Sequence, residues 1–235
     1  MDKAQVLARL TRAVASEDRT QALPLRLCIA GVALVGADGG AITLAYTRPQ
    51  RLTVCVTSDI AARLEDLQDV LGEGPGPQAF QSARMVTSRP VTDDAGPWPV
   101  FAKAALAAVG SAAIYAVPMS SAGGVIGVLT FYQIPPRALG ESEEVARFVA
   151  DSIGAALLSD QGMRSVEEVG TWASRAMVHQ ATGMVMAQLG VSAPDALAVL
   201  RAHAFADDTT LEETAESVAD LRFDFSRDMG RGDQP

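Results

Sequence analysis

Apolar residues recur at three- and four-residue intervals through residues 3–15, at Val6, Leu7, Leu10, Ala13 and Val14. That spacing predicts an amphipathic helix. A second helix is predicted over 20–36, with Pro24 in its first turn, where a missing N–H is tolerated best. Asp38-Gly39-Gly40 then signals a turn. The period now changes. Residues 41–46 and 52–57 alternate and are rich in branched side chains, so they predict paired strands across a loop containing Pro49. Helical spacing returns over 59–70, with Asp59 as cap and Ile60, Leu64, Leu67 and Val70 or Leu71 facing inward. Residues 72–77, glycine- and proline-rich, predict a loop. A short helix at 78–84, a short strand at 85–88 and an irregular connection over 92–99 follow. A helix over 100–110 ends at Gly110, and two strands, 111–119 and 124–133, are joined by a tight turn. A further helix starts near residue 141.

Strands joined in sequence by short connections pair antiparallel. The expected fold class is therefore an α+β domain, an antiparallel sheet flanked by helices, over about residues 5–160. A long helix and an all-α three-helix bundle follow it. From Glu141 almost to Leu189 the chain can stay helical. Val145, Phe148, Val149, Ile153, Ala156 and Leu157 form one apolar stripe; Met163, Val166, Val169, Ala173, Ala176 and Met177 form a second, with a bend or boundary near Gly162. Residues 161–178 are expected to be a helical connector. A stripe with nothing of its own to cover it predicts a coiled-coil homodimer; the other reading folds it back on the sheet. Ser192 with Pro194 caps the second helix of the bundle, and Thr209 or Thr210 with Glu212 or Glu213 caps the third. Residues 223–235 are expected to be a frayed tail.

Charge and composition narrow the function. The 235 residues carry a formal net charge of −9, so the whole-chain field does not draw in nucleic acid or anionic lipid. The only lysines are Lys3 and Lys103, leaving arginine as nearly the whole positive charge. No apolar run approaches a membrane span and no leader pattern is visible, which predicts a soluble cytoplasmic protein with no membrane partner. Cys28 and Cys55 sit in apolar runs and read as reduced, buried thiols, with a single disulfide as the other possibility. His179 and His203 are the only histidines, and both lie outside the first domain. No Ser-His-Asp or Cys-His set can be assembled there, no phosphate cradle follows the glycine-rich run, and no metal site is evident. No enzyme activity and no identifiable cofactor are expected.

Gly74-Pro75, Asp93-Asp94, Trp98-Pro99, Val117-Pro118 and the run Ile126 to Leu129 occur in an order that resembles the GAF domain of actinobacterial regulators. The resemblance implies a sheet with a small-molecule pocket on one face. Trp98, Tyr115 and Tyr132 are its candidate lining, for an unknown small ligand; ordinary core packing is the alternative. The chain departs from that pattern at Gly76, where relatives often place a cysteine.

Ala181, Gly183, Met186 and Ala187, followed by the two capped helices, resemble the ANTAR domain over about residues 165–222. The combination resembles a GAF–ANTAR transcription antitermination regulator. It implies a dimer that binds paired hairpin loops of a nascent RNA, under control of a ligand or a regulatory protein. Loop bases are what a protein can read in RNA. The candidate RNA contacts are Thr182, where relatives commonly have lysine, with Arg201, His203, Thr209, Thr210 and Arg222. Between His179 and Arg222, however, two arginines stand against seven carboxylates. Phosphate contacts dominate nucleic-acid affinity, so the alternative is a protein-interaction or scaffold dimer that no longer binds RNA.

Overall fold

The computed structural model describes residues 2–47, 50–89, 96–159 and 171–225. The chain divides into two compact units that meet in sequence at Thr171 and Trp172.

The first unit opens with α1 (Lys3–Ser16), capped by the Asp2 carboxyl group on the Ala4 N–H, and α2 (Leu23–Val35), closed by Gly36 in the left-handed conformation. Strands β1 (Gly39–Thr47) and β2 (Gln50–Val56) follow, then α3 (Asp59–Leu71), α4 (Pro75–Ser82), β3 (Val86–Ser88), α5 (Pro99–Val109), β4 (Ala113–Ser121), β5 (Gly124–Gln133) and α6 (Glu143–Leu157). The five strands form one antiparallel sheet in the order β2-β1-β5-β4-β3. This is the expected α+β class.

One sheet face carries the main core. Ile42, Leu44, Tyr115, Val117, Met119, Leu129 and Phe131 pack there against α2 and α6, and α1 packs on those two helices. Val145, Val149, Ile153 and Leu157 of α6 are buried in that same core. The α6 stripe is therefore covered by its own sheet, the second of the two readings given for it. Asp151 anchors α6 further by accepting the Ser120 N–H at 2.8 Å. Met163, Val166 and Val169 of the second stripe lie outside the described residues, as does most of the 161–178 connector.

The expected loop over 72–77 is only half loop. Helix α4 starts at Pro75, whose fixed φ suits the first helical position. Gly74 before it has φ 132°, and a Cβ there would meet the Gln68 side chain at 2.8 Å.

The second unit comprises α7 (Thr171–Leu189), α8 (Ala193–Ala206) and α9 (Leu211–Ala219). Ser192 caps α8, and Thr210 with Glu213 forms a reciprocal capping box on α9. Val178, Ala181, Val185, Leu197, Leu200, Ala215 and Val218 make its core. Phe225 is buried in that core and Phe223 packs on it. Residues 223–225 thus do not belong to the tail expected from residue 223, and residues 226–235 lie outside the described residues. Among the described residues, no single helix is long and apolar enough to cross a membrane.

Candidate ligand pocket and nucleic-acid surface

A ligand pocket is expected on one face of the sheet, and the strand register decides which residues share a face. Residues directly opposite in an antiparallel pair share a face. Tyr115 is opposite Phe131, and Tyr132 is opposite Ile114. Tyr115 therefore belongs to the main core, where its hydroxyl donates to the Arg137 carbonyl. Tyr132 stands on the second face, its hydroxyl 2.9 Å from that of Ser58. Trp98 is half-buried at the start of α5. The sheet lies between Tyr115 and Tyr132, so no one-sided pocket can be lined by all three candidates.

The second face instead holds a buried polar chain that sequence reasoning missed. The Thr43 hydroxyl donates to Glu65 Oε2 at 2.9 Å and lies 3.2 Å from the Thr53 hydroxyl. Gln68 Nε2 donates to Glu65 Oε1 at 3.0 Å, and Gln68 Oε1 accepts the Gly76 N–H at 2.7 Å. Glu65 and Gln68 are 1% and 0% exposed. A buried polar group is tolerable when it is hydrogen-bonded, and this chain links β2, β1, α3 and the first turn of α4. The signal was present in the spacing: Ala61, Leu64, Glu65 and Gln68 fall at i, i+3, i+4 and i+7, one helical face. Thr130, placed between Ala41 and Ala116 on this same face, buries a hydroxyl with no hydrogen-bond partner among the described residues. The acidic pair Asp93-Asp94 lies outside the described residues.

Cys28 and Cys55 are free thiols. Hydrogen bonding to Cys55, then burial, push the Cys28 thiol well above the ordinary thiol range. Among the described residues, no group of three or more acidic, histidine or cysteine side chains could hold a metal ion.

In the second unit, the six candidate RNA contacts are placed unevenly. Thr182 is 8% exposed, and its hydroxyl donates to the Val178 carbonyl one turn back. It is a packing residue of α7, which corrects its assignment as a surface contact. His203 on α8 is 3.3 Å from the Asp207 carboxyl group and lies against both Phe223 and Phe225. The Thr209 hydroxyl is 3.0 Å from that of Thr214, while Thr210 caps α9. Arg222 approaches Asp220 at 3.1 Å and Glu216 at 3.7 Å, with its side chain 58% exposed. Arg201 lies on α8. A cluster of uncommitted cations, the arrangement expected above, is therefore not what surrounds Arg222: two carboxylates already hold it.

Two family models match the chain: the GAF domain over residues 18–157 and the ANTAR domain over residues 170–218. Among solved structures, the A. aeolicus nlh2 GAF domain in an inactive state is 14% identical, covering 68% of this chain and 93% of that one, with a TM-score of 0.42. The GAF domain of an Acinetobacter phosphoenolpyruvate-protein phosphotransferase is 15% identical, with coverages of 74% and 99% and a TM-score of 0.42. A free methionine-R-sulfoxide reductase from Neisseria meningitidis is 19% identical, with coverages of 71% and 91% and a TM-score of 0.40. No curated protein matches the chain.

Proposed function

Because the chain belongs to the GAF family over residues 18–157 and carries an ANTAR domain over residues 170–218, we propose that it is a dimeric, non-enzymatic antitermination regulator of the bacterial cytoplasm. Its ANTAR domain binds paired hairpin loops in a nascent transcript and favours read-through. Its GAF domain senses a small ligand or a regulatory protein and biases that binding. The observation that carries this reading is the pairing itself: a sensor-type domain and an RNA-type domain in one chain, in that order. Coupling between them requires the ligand to favour one of two arrangements of the chain.

The electrostatics constrain how RNA is held. Two arginines among seven carboxylates between His179 and Arg222 leave few phosphate contacts. Surface ion pairs are worth only about 0–1 kcal/mol, so exchanging Asp220 for a phosphate at Arg222 is not prohibitive. The test is binding of the full chain to a pair of hairpins with hexanucleotide loops, over a salt series. Binding at low salt that is lost when the loops are changed supports the reading. A folded protein that binds neither RNA at low salt rejects it.

A second reading, a scaffold dimer that no longer binds RNA, is favoured by the carboxylates around Arg222. Under it, the RNA titration is flat at every salt concentration while the chain still self-associates.

A further inference from the structure

The helices that cover the main core leave a groove on their outer side. It has a volume of about 600 Å³ and is bounded by α1, α2 and α6. That volume falls within the usual range for small-molecule sites, roughly 300–1,000 Å³. Leu7, Leu10, Val14 and Leu27 form the apolar part of its wall, Thr11 and Ser152 are polar, and Arg19 and Arg26 border it. The apolar wall is more open than a core needs: Leu7 is 47% exposed although it points along the same helix as buried Leu10.

Arg26 is only partly satisfied. One terminal nitrogen, Nη2, donates to the Val14 carbonyl at 2.8 Å. Its Nε is buried and has no hydrogen-bond partner among the described residues. A buried donor left unpaired is destabilising, the more so when the group is charged. The nearby carboxyl group of Asp18 accepts the Thr20 N–H at 2.9 Å and lies close enough to Arg26 for the two charges to interact. The Ser152 hydroxyl on the opposite wall is used within α6, on the Phe148 carbonyl. Two guanidinium groups thus border an apolar trough in a chain whose overall charge is −9. Guanidinium presents a planar fork that matches a carboxylate.

We propose that this groove is a binding site for a carboxylate with an unbranched apolar body, with the head group on Arg26 and Arg19 and the chain along Leu7, Leu10, Val14 and Leu27. The site lies on the helix-covered side of the sheet, away from the Thr43–Glu65–Gln68 chain, and it does not depend on the RNA reading. Opposite charge at one end and apolar surface along the rest select the carboxylate over a neutral or cationic molecule of the same length. A second copy of this chain seated in the groove is the competing occupant.

The experiment titrates the full chain with decanoate, decanol and decyltrimethylammonium, each below its micelle concentration, following heat of binding and chemical-shift changes at Leu7 and Leu27. Saturable decanoate binding at least tenfold tighter than decanol, with shifts at those leucines, is the expected result. Arg19→Gln, an exposed position, is expected to weaken decanoate at least fivefold and leave decanol unchanged. Arg26→Gln is expected to have the larger effect, but it also removes the bond to Val14, so Arg19→Gln guards against a folding artefact. Equal binding of decanoate and decanol, no binding of either, or shifts at Leu7 that follow protein concentration alone would each overturn the proposal.

Discussion

Phe223 lies over His203 with ring centroids 4.2 Å apart, and Phe225 meets the same imidazole edge-on at 5.3 Å. The segment after α9 therefore completes the second unit. Its backbone is tied in as well, because the Phe225 N–H donates to Gln188 Oε1 at 3.2 Å. Aromatic truncation in a core costs about 3–5 kcal/mol. Phe225→Ala is expected to destabilise the second unit by about 3 kcal/mol and leave the first unchanged. Calorimetry of the full chain, with the unit transitions assigned by residue-resolved hydrogen exchange, checks this. If exchange in α7–α9 is unaffected, the segment is not part of the core.

The buried chain from Thr53 to Gly76 gives a second prediction. Gln68→Leu keeps the volume but removes the donor to Glu65 and the acceptor for the Gly76 N–H. Two buried polar groups each lose a partner, at about 1–3 kcal/mol apiece. A loss of about 2–4 kcal/mol is expected in urea unfolding of the first unit. The first turn of α4 is expected to lose hydrogen-exchange protection before the sheet does. Uniform loss would show that Gln68 serves only to fill space.

How the sequence spoke to these features differs by element. The order of helices and strands was legible because the hydrophobic period switches cleanly from 3.6 to 2 and back. The capping of α8 and α9 was legible because Ser192 and Thr210 precede their helices at the expected spacing. The faces of the tyrosines were not. The turn pairs Ser121 with Gly124 and Ser120 with Val125, a register that would put Tyr115 opposite Thr130, on the same face as Tyr132. An irregularity between Met119 and Ser120 then shifts the pairing by one residue, so Met119 meets Gly127 and Tyr115 meets Phe131. A one-residue slip exchanges the two faces of a strand. Nothing in the local composition marks that shift. The α6 stripe was ambiguous for a similar reason. An apolar face predicts that something covers it, not whether the cover is a partner helix or the chain's own sheet.

Thiol chemistry should report the pairing of Cys28 with Cys55. The folded Cys28 thiol titrates well above its ordinary value of 9.0, through the hydrogen bond to Cys55 and through burial. Above pH 9 the unfolded chain releases this proton while the folded chain keeps it, so stability is fully present below that pH and falls as pH rises beyond it. The urea midpoint is expected to drop between pH 8 and pH 10, and Cys28→Ala is expected to reduce that slope. In the native protein an aromatic disulfide reagent should modify Cys55, which is half-buried, well before Cys28, which is fully buried. Simultaneous modification of both would mean the α2–β2 seam opens as a unit.

The RNA surface makes the most discriminating prediction, because its charge count is so low. If Arg201 and Arg222 supply the phosphate contacts between His179 and Arg222, about two counterions are released on binding. The slope of log K against log salt is then about −1.4 for single-stranded loops, at roughly −0.7 per contact. Arg222→Gln should make the slope shallower by about 0.7. Asp220→Asn, which frees Arg222 from its nearer carboxylate at 3.1 Å, should strengthen binding only slightly, because a surface pair of this kind opposes the transfer only weakly. Thr210→Ser keeps the cap on α9 and should leave both affinity and stability nearly unchanged, whereas Thr210→Ala should lose about 1 kcal/mol of stability before any RNA is added. Affinities are to be compared only among variants with native helix content. A slope steeper than about −3 would require cations from outside this stretch, and the phosphate path would then have to be sought elsewhere on the chain.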